Sequence, residues 1–197
     1  MPGKSGLEPN TRFVTTHDSS GKSTFMKEGT VDVVPVGGGA ALFALMWSTD
    51  TAKPDIVNDE RDGGEASPQK NDGVLCRENG NTLRYIDFPP QSKGLMHRTD
   101  TLDYGIVLKG DIELELDNGE KKSMKSGDVA VQRGTNHAWN NNTGNWTRMA
   151  FVMIDAQPVP HDNDKFYFPS TAVAAVSSRS EYHMLYRVYL LATFTFA

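Results

Sequence analysis

The clearest pattern in the chain is a strict alternation of apolar and acidic residues in the stretch DIELELD. Ile112, Leu114 and Leu116 share one face of this stretch, and the positions between them are Asp or Glu. Because successive side chains of a strand point to opposite faces, the two-residue period predicts a half-buried β-strand. Asn118 and Gly119 follow, and this pair is the strongest short signal for a tight hairpin turn. The pattern therefore predicts a β-hairpin.

Shorter apolar runs on both sides of this hairpin also have the composition of strands. The region around the hairpin contains no convincing amphipathic helix. Many short strands separated by turns are typical of a β-sandwich or barrel, so we predict an all-β fold. The other predicted strands cover residues 12–16, 31–36, a stretch that follows a turn at Gly37 and reaches Trp47, and residues 83–88, 104–109, 129–131 and 149–154.

Composition divides the chain into three stretches. Residues 1–82 are mixed and include a polar loop at 58–73, and we expect them to contribute strands and loops that pack on a barrel. Residues 83–157 carry the clearest alternation and are the predicted core of a single domain. Residues 158–197 begin with a break rich in Pro and Asp. We expect them to be a C-terminal extension, either flexible or at a dimer interface.

Charge and cysteine content restrict the class of protein. The chain has 197 residues and a formal net charge of −5, which argues against a nucleic-acid binder with a basic surface for phosphates. Cys76 is the single cysteine, so an intramolecular disulfide is impossible and a reducing compartment is favoured. No signal peptide and no apolar stretch long enough to span a membrane is found. We therefore expect a cytoplasmic protein with no membrane or nucleic-acid partner.

Two polar clusters lie on strand-like segments, each with side chains at alternate positions that would share one face. The first cluster is His97, Thr99, Thr101 and Asp103; the second is His137, Trp139 and Asn141. If the two strands face each other inside a barrel, two imidazoles and one carboxylate converge. Such a set suits Fe, Mn, Ni or Zn and leaves positions open for a substrate. The alternative is that these residues are hydrogen-bonded polar groups of a strand with no metal.

The two clusters resemble the two signature motifs of the cupin superfamily. The first family motif contains His-x-His, then Glu after three or four residues, then Gly after six more. Here the residues with that spacing are His97, Thr99, Asp103 and Gly110. The second family motif ends with Gly, two residues, His, three residues and Asn. Here the matching residues are Gly134, His137 and Asn141. The flanking segments resemble small single-domain cupins of fungi and bacteria, some of which belong to polyketide tailoring pathways.

The resemblance implies a double-stranded β-helix, or jelly-roll, barrel with irregular N- and C-terminal extensions. It implies that His97, Asp103 and His137 are catalytic and hold one divalent metal. Thr99 stands where the family has its second His, Asp103 stands where it has Glu, and the Pro of the second motif is absent. In a metal-free variant, His97 or His137 would act as a general base oriented by Asp103. A homodimer is also expected, because an open edge strand is otherwise a liability.

Further residues in or near the motifs are candidates for substrate binding. An Arg could hold a carboxylate or enolate, and a Tyr or Trp could stack on an aromatic substrate. The alternative is that the Trp belongs to the core and the Arg residues are solvated, since the sequence does not fix which face is inside. The predicted substrate-binding residues are Thr99, Tyr104, Gln132, Arg133, Trp139 and Asn141.

The leading functional hypothesis is an enzyme that tailors a small aromatic or polyketide-like molecule in the barrel pocket. Decarboxylation, dehydration, cyclisation, isomerisation and oxygenation all fit such a pocket. The alternative is a metal-free barrel that binds or senses a small molecule. A nucleotide cofactor is not expected. The run SGKST at residues 20–24 lacks the earlier Gly of a phosphate-binding loop, because Thr16 occupies that position.

Overall fold

A computed structural model describes residues 4–56, 62–64 and 75–160 of the chain. Within these residues the protein is built of strands, with a single 3-10 turn at Gly37–Gly39 and no α-helix. No helix among the described residues is long and apolar enough to cross a membrane. The strands are Asn10–His17 (β1), Ser23–Val31 (β2), Val34–Val36 (β3), Ala41–Thr49 (β4), Asn81–Phe88 (β5), Thr101–Lys109 (β6), Asp111–Leu116 (β7), Lys121–Lys125 (β8), Val129–Arg133 (β9), His137–Asn140 (β10) and Thr147–Asp155 (β11).

The strands form two main antiparallel sheets and one separate ribbon. The larger sheet has the order β3-β4-β5-β11-β6-β9, and the smaller has the order β10-β7-β8. β1 and β2 pair only with each other. A single apolar core draws on both main sheets, with Val107, Met149 and Phe151 from the larger and Ile112 and Trp139 from the smaller. Two sheets around one core form the predicted all-β barrel, which is confirmed.

The predicted hairpin is also confirmed. Leu116 donates its N–H to the carbonyl of Glu120 at 2.9 Å, and Gly119 donates to the carbonyl of Leu116 at 3.0 Å. Gly119 has a φ of +85°, a conformation that costs glycine little because it has no Cβ. Ile112 is buried in the core and Leu114 packs against it. The alternation therefore marked the inward face of β7 correctly.

Two strands of the structure have no apolar pattern in the sequence. β2 is mostly exposed and β8 buries only Met124, so neither shows the alternation by which a half-buried strand is recognised. The barrel also begins earlier than residue 83, because β3 and β4 hydrogen-bond into the larger sheet. Residues 161–197, which include most of the predicted C-terminal extension, lie outside the described residues, as does most of the predicted loop at 58–73.

The outer face of β6 and β9 is apolar and open in the described part of the chain. Val129 and Val131 are 54% and 56% exposed, and Tyr104, which pairs with Val131 across the strands, is 36% exposed. Such a face at the edge of a sheet agrees with the expected homodimer. The homodimer stays a prediction.

A buried ion pair fixes the N-terminal segment to the outside of the larger sheet. The Nε and Nη2 of Arg148 donate to the two carboxylate oxygens of Asp87 at 2.6 and 2.7 Å. The remaining terminal nitrogen, Nη1, donates to the carbonyl of Glu8 at 2.9 Å. Asp87 is 1% exposed, so its charge depends on this guanidinium for compensation.

We predict that Asp87→Ala destabilises the fold by about 3–5 kcal/mol, because it leaves a largely buried guanidinium without a counter-charge. The free energy of unfolding in urea measures the effect. Asp111→Ala is the matched control at an exposed position, with an expected change within about 0.5 kcal/mol. Equal changes for the two variants would show that the ion pair does not hold the fold.

Candidate active site

The two motif histidines meet across the join between the sheets. His137 opens β10, and His97 lies in the segment between β5 and β6. Their backbones form a two-residue antiparallel bridge, in which the N–H of each donates to the carbonyl of the other at 2.9 and 2.8 Å. The ring centroids are 4.5 Å apart, at an interplanar angle of 49°. The structure thus brings together the two imidazoles that the sequence paired.

Each imidazole is anchored by a backbone carbonyl. The Nδ1 of His97 lies 2.9 Å from the carbonyl oxygen of Leu95, and the Nδ1 of His137 lies 2.8 Å from that of Thr135. A carbonyl oxygen only accepts hydrogen bonds, so both Nδ1 atoms carry the proton and donate it. In the neutral ring, Nε2 is then the acceptor. The carbonyls of Leu95 and Thr135 therefore orient the two rings through Nδ1, and an orienting role for Asp103 stays a prediction.

Both imidazoles are held in the neutral form. Burial lowers the pKa of His97 below its usual value. Burial lowers the pKa of His137 to about 3, and the neighbouring His97 contributes to the shift through charge repulsion. Desolvation disfavours the charged imidazolium in both cases. At neutral pH the pair therefore presents hydrogen-bond acceptors and not cations.

Asp103 lies on the inner face of β6. It is 3% exposed and is flanked across the sheet by Gln132 of β9 and Met153 of β11. Burial raises the pKa of its carboxyl to about 6, against a smaller lowering by a hydrogen bond from Thr101. The Oδ1 atom has no hydrogen-bond partner among the described residues. Asp103 is therefore a desolvated carboxyl group that ionises close to neutrality.

Three of the predicted substrate-binding residues are buried near Asp103 or in the core. Thr99, Gln132 and Trp139 are buried, and Gln132 and Trp139 face the barrel interior with Asp103 and the core. The Oγ1 of Thr99 lies 2.6 Å from the Oγ1 of Thr101. Because Thr101 donates to Asp103, its own oxygen is left to accept from Thr99.

Three of the predicted substrate-binding residues lie away from the inner face that carries Asp103. Tyr104 and Arg133 are exposed on the outer face of the larger sheet, because each neighbours a residue that points inward and side chains alternate. Asn141 is fully buried in a turn. Its Nδ2 donates to the carbonyls of Phe88, Pro89 and Asn145. Its Oδ1 accepts from the backbone and hydroxyl of the nearby threonine, so its polar atoms serve the fold.

Comparison with known proteins gives the family. The chain is 43% identical over 157 residues to the phomopsin biosynthesis cluster protein C' of Diaporthe leptostromiformis, covering 78% of this chain and 82% of the relative. It is 39% identical over 158 residues to a cupin-domain-containing oxidoreductase of Hypocrea virens, covering 78% and 80%. The chain belongs to the cupin superfamily. The Schizosaccharomyces pombe Cnp3 cupin domain is a structural neighbour, with a TM-score of 0.45, 13% identity and coverage of 75% and 89%. No family model matches the sequence.

One residue near the site of this cupin was not anticipated from the sequence. Cys76 is completely buried in the core, and its thiol lies 3.5 Å from the carbonyl of Met153, the residue opposite Asp103. Burial raises the pKa of the thiol to about 12, with added repulsion from Asp155 and Asp103. The thiol is therefore protonated at neutral pH and is not a nucleophile. A lone cysteine in a polar stretch carries no pattern that would reveal this position.

The predicted metal ligands do not form a three-residue set. Of the residues that the structure describes, no three of His, Cys, Asp and Glu come close enough together to hold a metal ion. The two imidazoles do have the anchored Nδ1 atoms that metal-binding histidines usually have. Catalytic zinc sites, however, use three protein ligands. Among the described residues, those present therefore fall short of the set predicted from the sequence.

We expect this cupin to bind divalent metal weakly, because two imidazoles alone leave a metal without a protein carboxylate. Elemental analysis of protein purified without chelator or metal-affinity tag measures this, with an expected content well below one metal per chain. Purified His97→Ala is the control for adventitious binding. A different result would contradict this expectation. If the wild type held one metal per chain and both His97→Ala and Asp103→Asn lost it, the predicted set of three ligands would be supported.

The burial of Asp103 predicts a pH dependence of stability. Its pKa is about 6 in the fold and 3.8 when unperturbed, so folding favours the protonated form. The contribution is fully present below pH 3.8 and is lost as the pH rises through about 6. Asp103→Asn fixes a neutral side chain of the same shape. As the pH rises across this interval, the free energy of unfolding of the wild type should therefore fall by about 3 kcal/mol relative to that of the variant. Urea unfolding measures both. A constant difference would contradict the raised pKa.

Proposed function

We propose that this cupin is a tailoring enzyme of secondary metabolism that acts on a small molecule inside the barrel. The relatives support this proposal, since one is named as a biosynthesis cluster protein and another as a cupin-domain-containing oxidoreductase. The buried groups Asp103 and His137 support it further, because both have perturbed pKa values and such values concentrate at functional sites. A small aromatic or polyketide-like substrate would contact the apolar residues that surround these groups.

Asp103 is the proposed general base, and its buried, unpartnered carboxylate oxygen is the observation that carries the proposal. A base is most effective when its pKa lies near the working pH. The pKa of Asp103, about 6, meets this condition, whereas the pKa of His137, about 3, makes its imidazole a weak base. We therefore assign proton abstraction to Asp103 and not to a histidine. The proton would come from a carbon next to a carbonyl group or from a hydroxyl group.

His137 is the proposed positioning residue. Its anchored Nδ1 leaves Nε2 as an acceptor, which suits a substrate O–H or N–H group. Proton abstraction by Asp103 from a substrate that His137 holds would support isomerisation, dehydration or cyclisation. Decarboxylation and oxygenation remain within the wider proposal. An oxidation, which the name of the Hypocrea virens relative indicates for that protein, would need an electron acceptor in addition to these side chains.

A binding or sensing module is the alternative function. The Thr99–Thr101 hydroxyl pair favours it, because a hydroxyl stands where the resemblance implies a histidine ligand. The alternative predicts ligand binding without turnover.

Proton abstraction can be tested before the natural substrate is identified, by exchange of carbon-bound hydrogen in D₂O.

We predict that the wild type accelerates deuterium exchange next to the carbonyl of some members of a panel of aryl ketones and 1,3-dicarbonyl compounds. The rate is expected to rise with pH through about 6 and then to level off, because the ionised carboxylate of Asp103 is the active form. Asp103→Asn should lower the rate by roughly 100-fold or more. Mass spectrometry measures the incorporation of deuterium.

Asp111→Asn, at an exposed position, is the matched control and should exchange at the wild-type rate. His137→Ala should raise KM more than it lowers kcat if His137 holds the substrate. Full activity in Asp103→Asn would refute the base assignment. Binding of panel members without exchange by the wild type would favour the alternative function.

A further inference from the structure

The inner face of the barrel carries buried polar atoms that the protein itself does not pair. Both polar atoms of the Gln132 side chain, the Oδ1 of Asp103 and the Nε1 of Trp139 have no hydrogen-bond partner among the described residues. Gln132 and Trp139 are 3% and 5% exposed. Native proteins pair the large majority of such buried groups. The atoms of Asp103 and Gln132 lie on the larger sheet, and that of Trp139 lies on the smaller sheet. Unpaired polar atoms on both sheets of one barrel interior indicate a place where another molecule supplies the partners.

Gln132 and Asp103 form one polar surface. The two residues are direct partners in the register between β9 and β6, and directly opposed side chains lie on the same face of a sheet. Both are buried on that face. A ligand that reaches Asp103 therefore also reaches the amide of Gln132.

The amide sets a stricter requirement than a single donor or acceptor would. The Nε2 of Gln132 donates and its Oε1 accepts. A ligand that carries only acceptors would leave Oε1 buried and unpaired, and one that carries only donors would leave Nε2 unpaired. Each unpaired atom would weaken binding. A ligand that carries a donor beside an acceptor satisfies both atoms.

Aromatic groups lie next to this polar surface. Trp139 and Phe151 form an edge-to-face pair with ring centroids 5.6 Å apart. Gly105, two residues along β6 from Asp103, has no side chain to separate strand and rings, and an added Cβ would lie 3.1 Å from Phe151. Such rings offer an apolar contact to a flat molecule. The Nε1 of Trp139 adds one donor, which suits an additional acceptor on that molecule.

We propose that Gln132 determines specificity, and that the barrel binds a planar carbonyl compound with an N–H or O–H donor next to the carbonyl oxygen. Lactams and enols of 1,3-dicarbonyl compounds share this donor–acceptor edge. The inference deepens the proposed function, on which it rests for placing the substrate beside Asp103. It names the substrate class that the catalytic carboxylate would act on.

A matched pair of probes tests the edge directly. 2-Quinolone is planar and carries an N–H beside its carbonyl, whereas N-methyl-2-quinolone has the same ring and no donor. Titration calorimetry on the full chain is expected to show that 2-quinolone binds roughly tenfold more tightly, since loss of the donor leaves the Oε1 of Gln132 unpaired. In Gln132→Met, which keeps the length of the side chain and removes its polar atoms, the preference is expected to fall below about twofold.

Thermal stability separates a binding role from a structural one. An amide that lacks partners weakens the ligand-free fold, so Gln132→Met is expected to raise Tm by about 2–4 °C. A Gln132 that served the fold, for example through bound water, would give a lower Tm on substitution. Gln157→Met makes the same chemical change at an exposed position and should alter neither Tm nor the probe preference.

Three outcomes would overturn the proposal. These are equal affinity of the wild type for the two probes, a preference that persists in Gln132→Met and is therefore steric, and no binding of 2-quinolone up to its solubility limit. Failure of the proposed catalysis gives a different pattern. If Asp103→Asn exchanged deuterium at the wild-type rate while the probe preference remained, the base assignment would fail and the specificity of Gln132 would stand.

Discussion

The reciprocal backbone hydrogen bonds between His97 and His137 are the interaction on which the site depends. They attach the segment that leads into β6 of the larger sheet to β10 of the smaller one, and a second bridge between Ser92 and Asn141 extends the attachment. The sheets are thereby held together at the same place where the imidazoles project. The carbonyls that anchor the rings lie two residues before each histidine. The same short segments therefore join the two sheets and orient the two rings.

This closure creates an interior in which polar groups are costly. Asp103, Gln132 and His137 are each less than 5% exposed, and they lie among residues that would otherwise pack as an apolar core. The cost appears as a raised pKa for Asp103, a lowered pKa for His137 and an unpaired amide at Gln132. None of these features stabilises the fold by itself. Their presence together is the pattern expected of a site where stability is given up for function.

The sequence predicted the parts of this arrangement that depend on local pattern. Strict alternation placed Ile112 inward, and the spacing of the two motifs brought His97 and His137 together. It did not fix which face of β6 and β9 points inward, because a shift of one residue exchanges the faces. Tyr104 and Arg133 are therefore among the predicted substrate-binding residues, although both are exposed on the outer face. The anchoring carbonyls of Leu95 and Thr135 were unpredictable for another reason, since every residue has a carbonyl group.

Thr99 shows how a single departure from the family motif changes the chemistry of the site. A histidine at this position would add a third imidazole, whereas the threonine hydroxyl reaches the hydroxyl of Thr101 at 2.6 Å. Thr101 in turn donates to Asp103 and opposes the effect of burial on its pKa. Burial alone would hold the carboxyl protonated to a higher pH, and a fully solvated carboxyl would be a weak base. The hydrogen bond from Thr101 keeps the pKa of Asp103 between these two limits, near neutrality. Proton abstraction requires such a pKa.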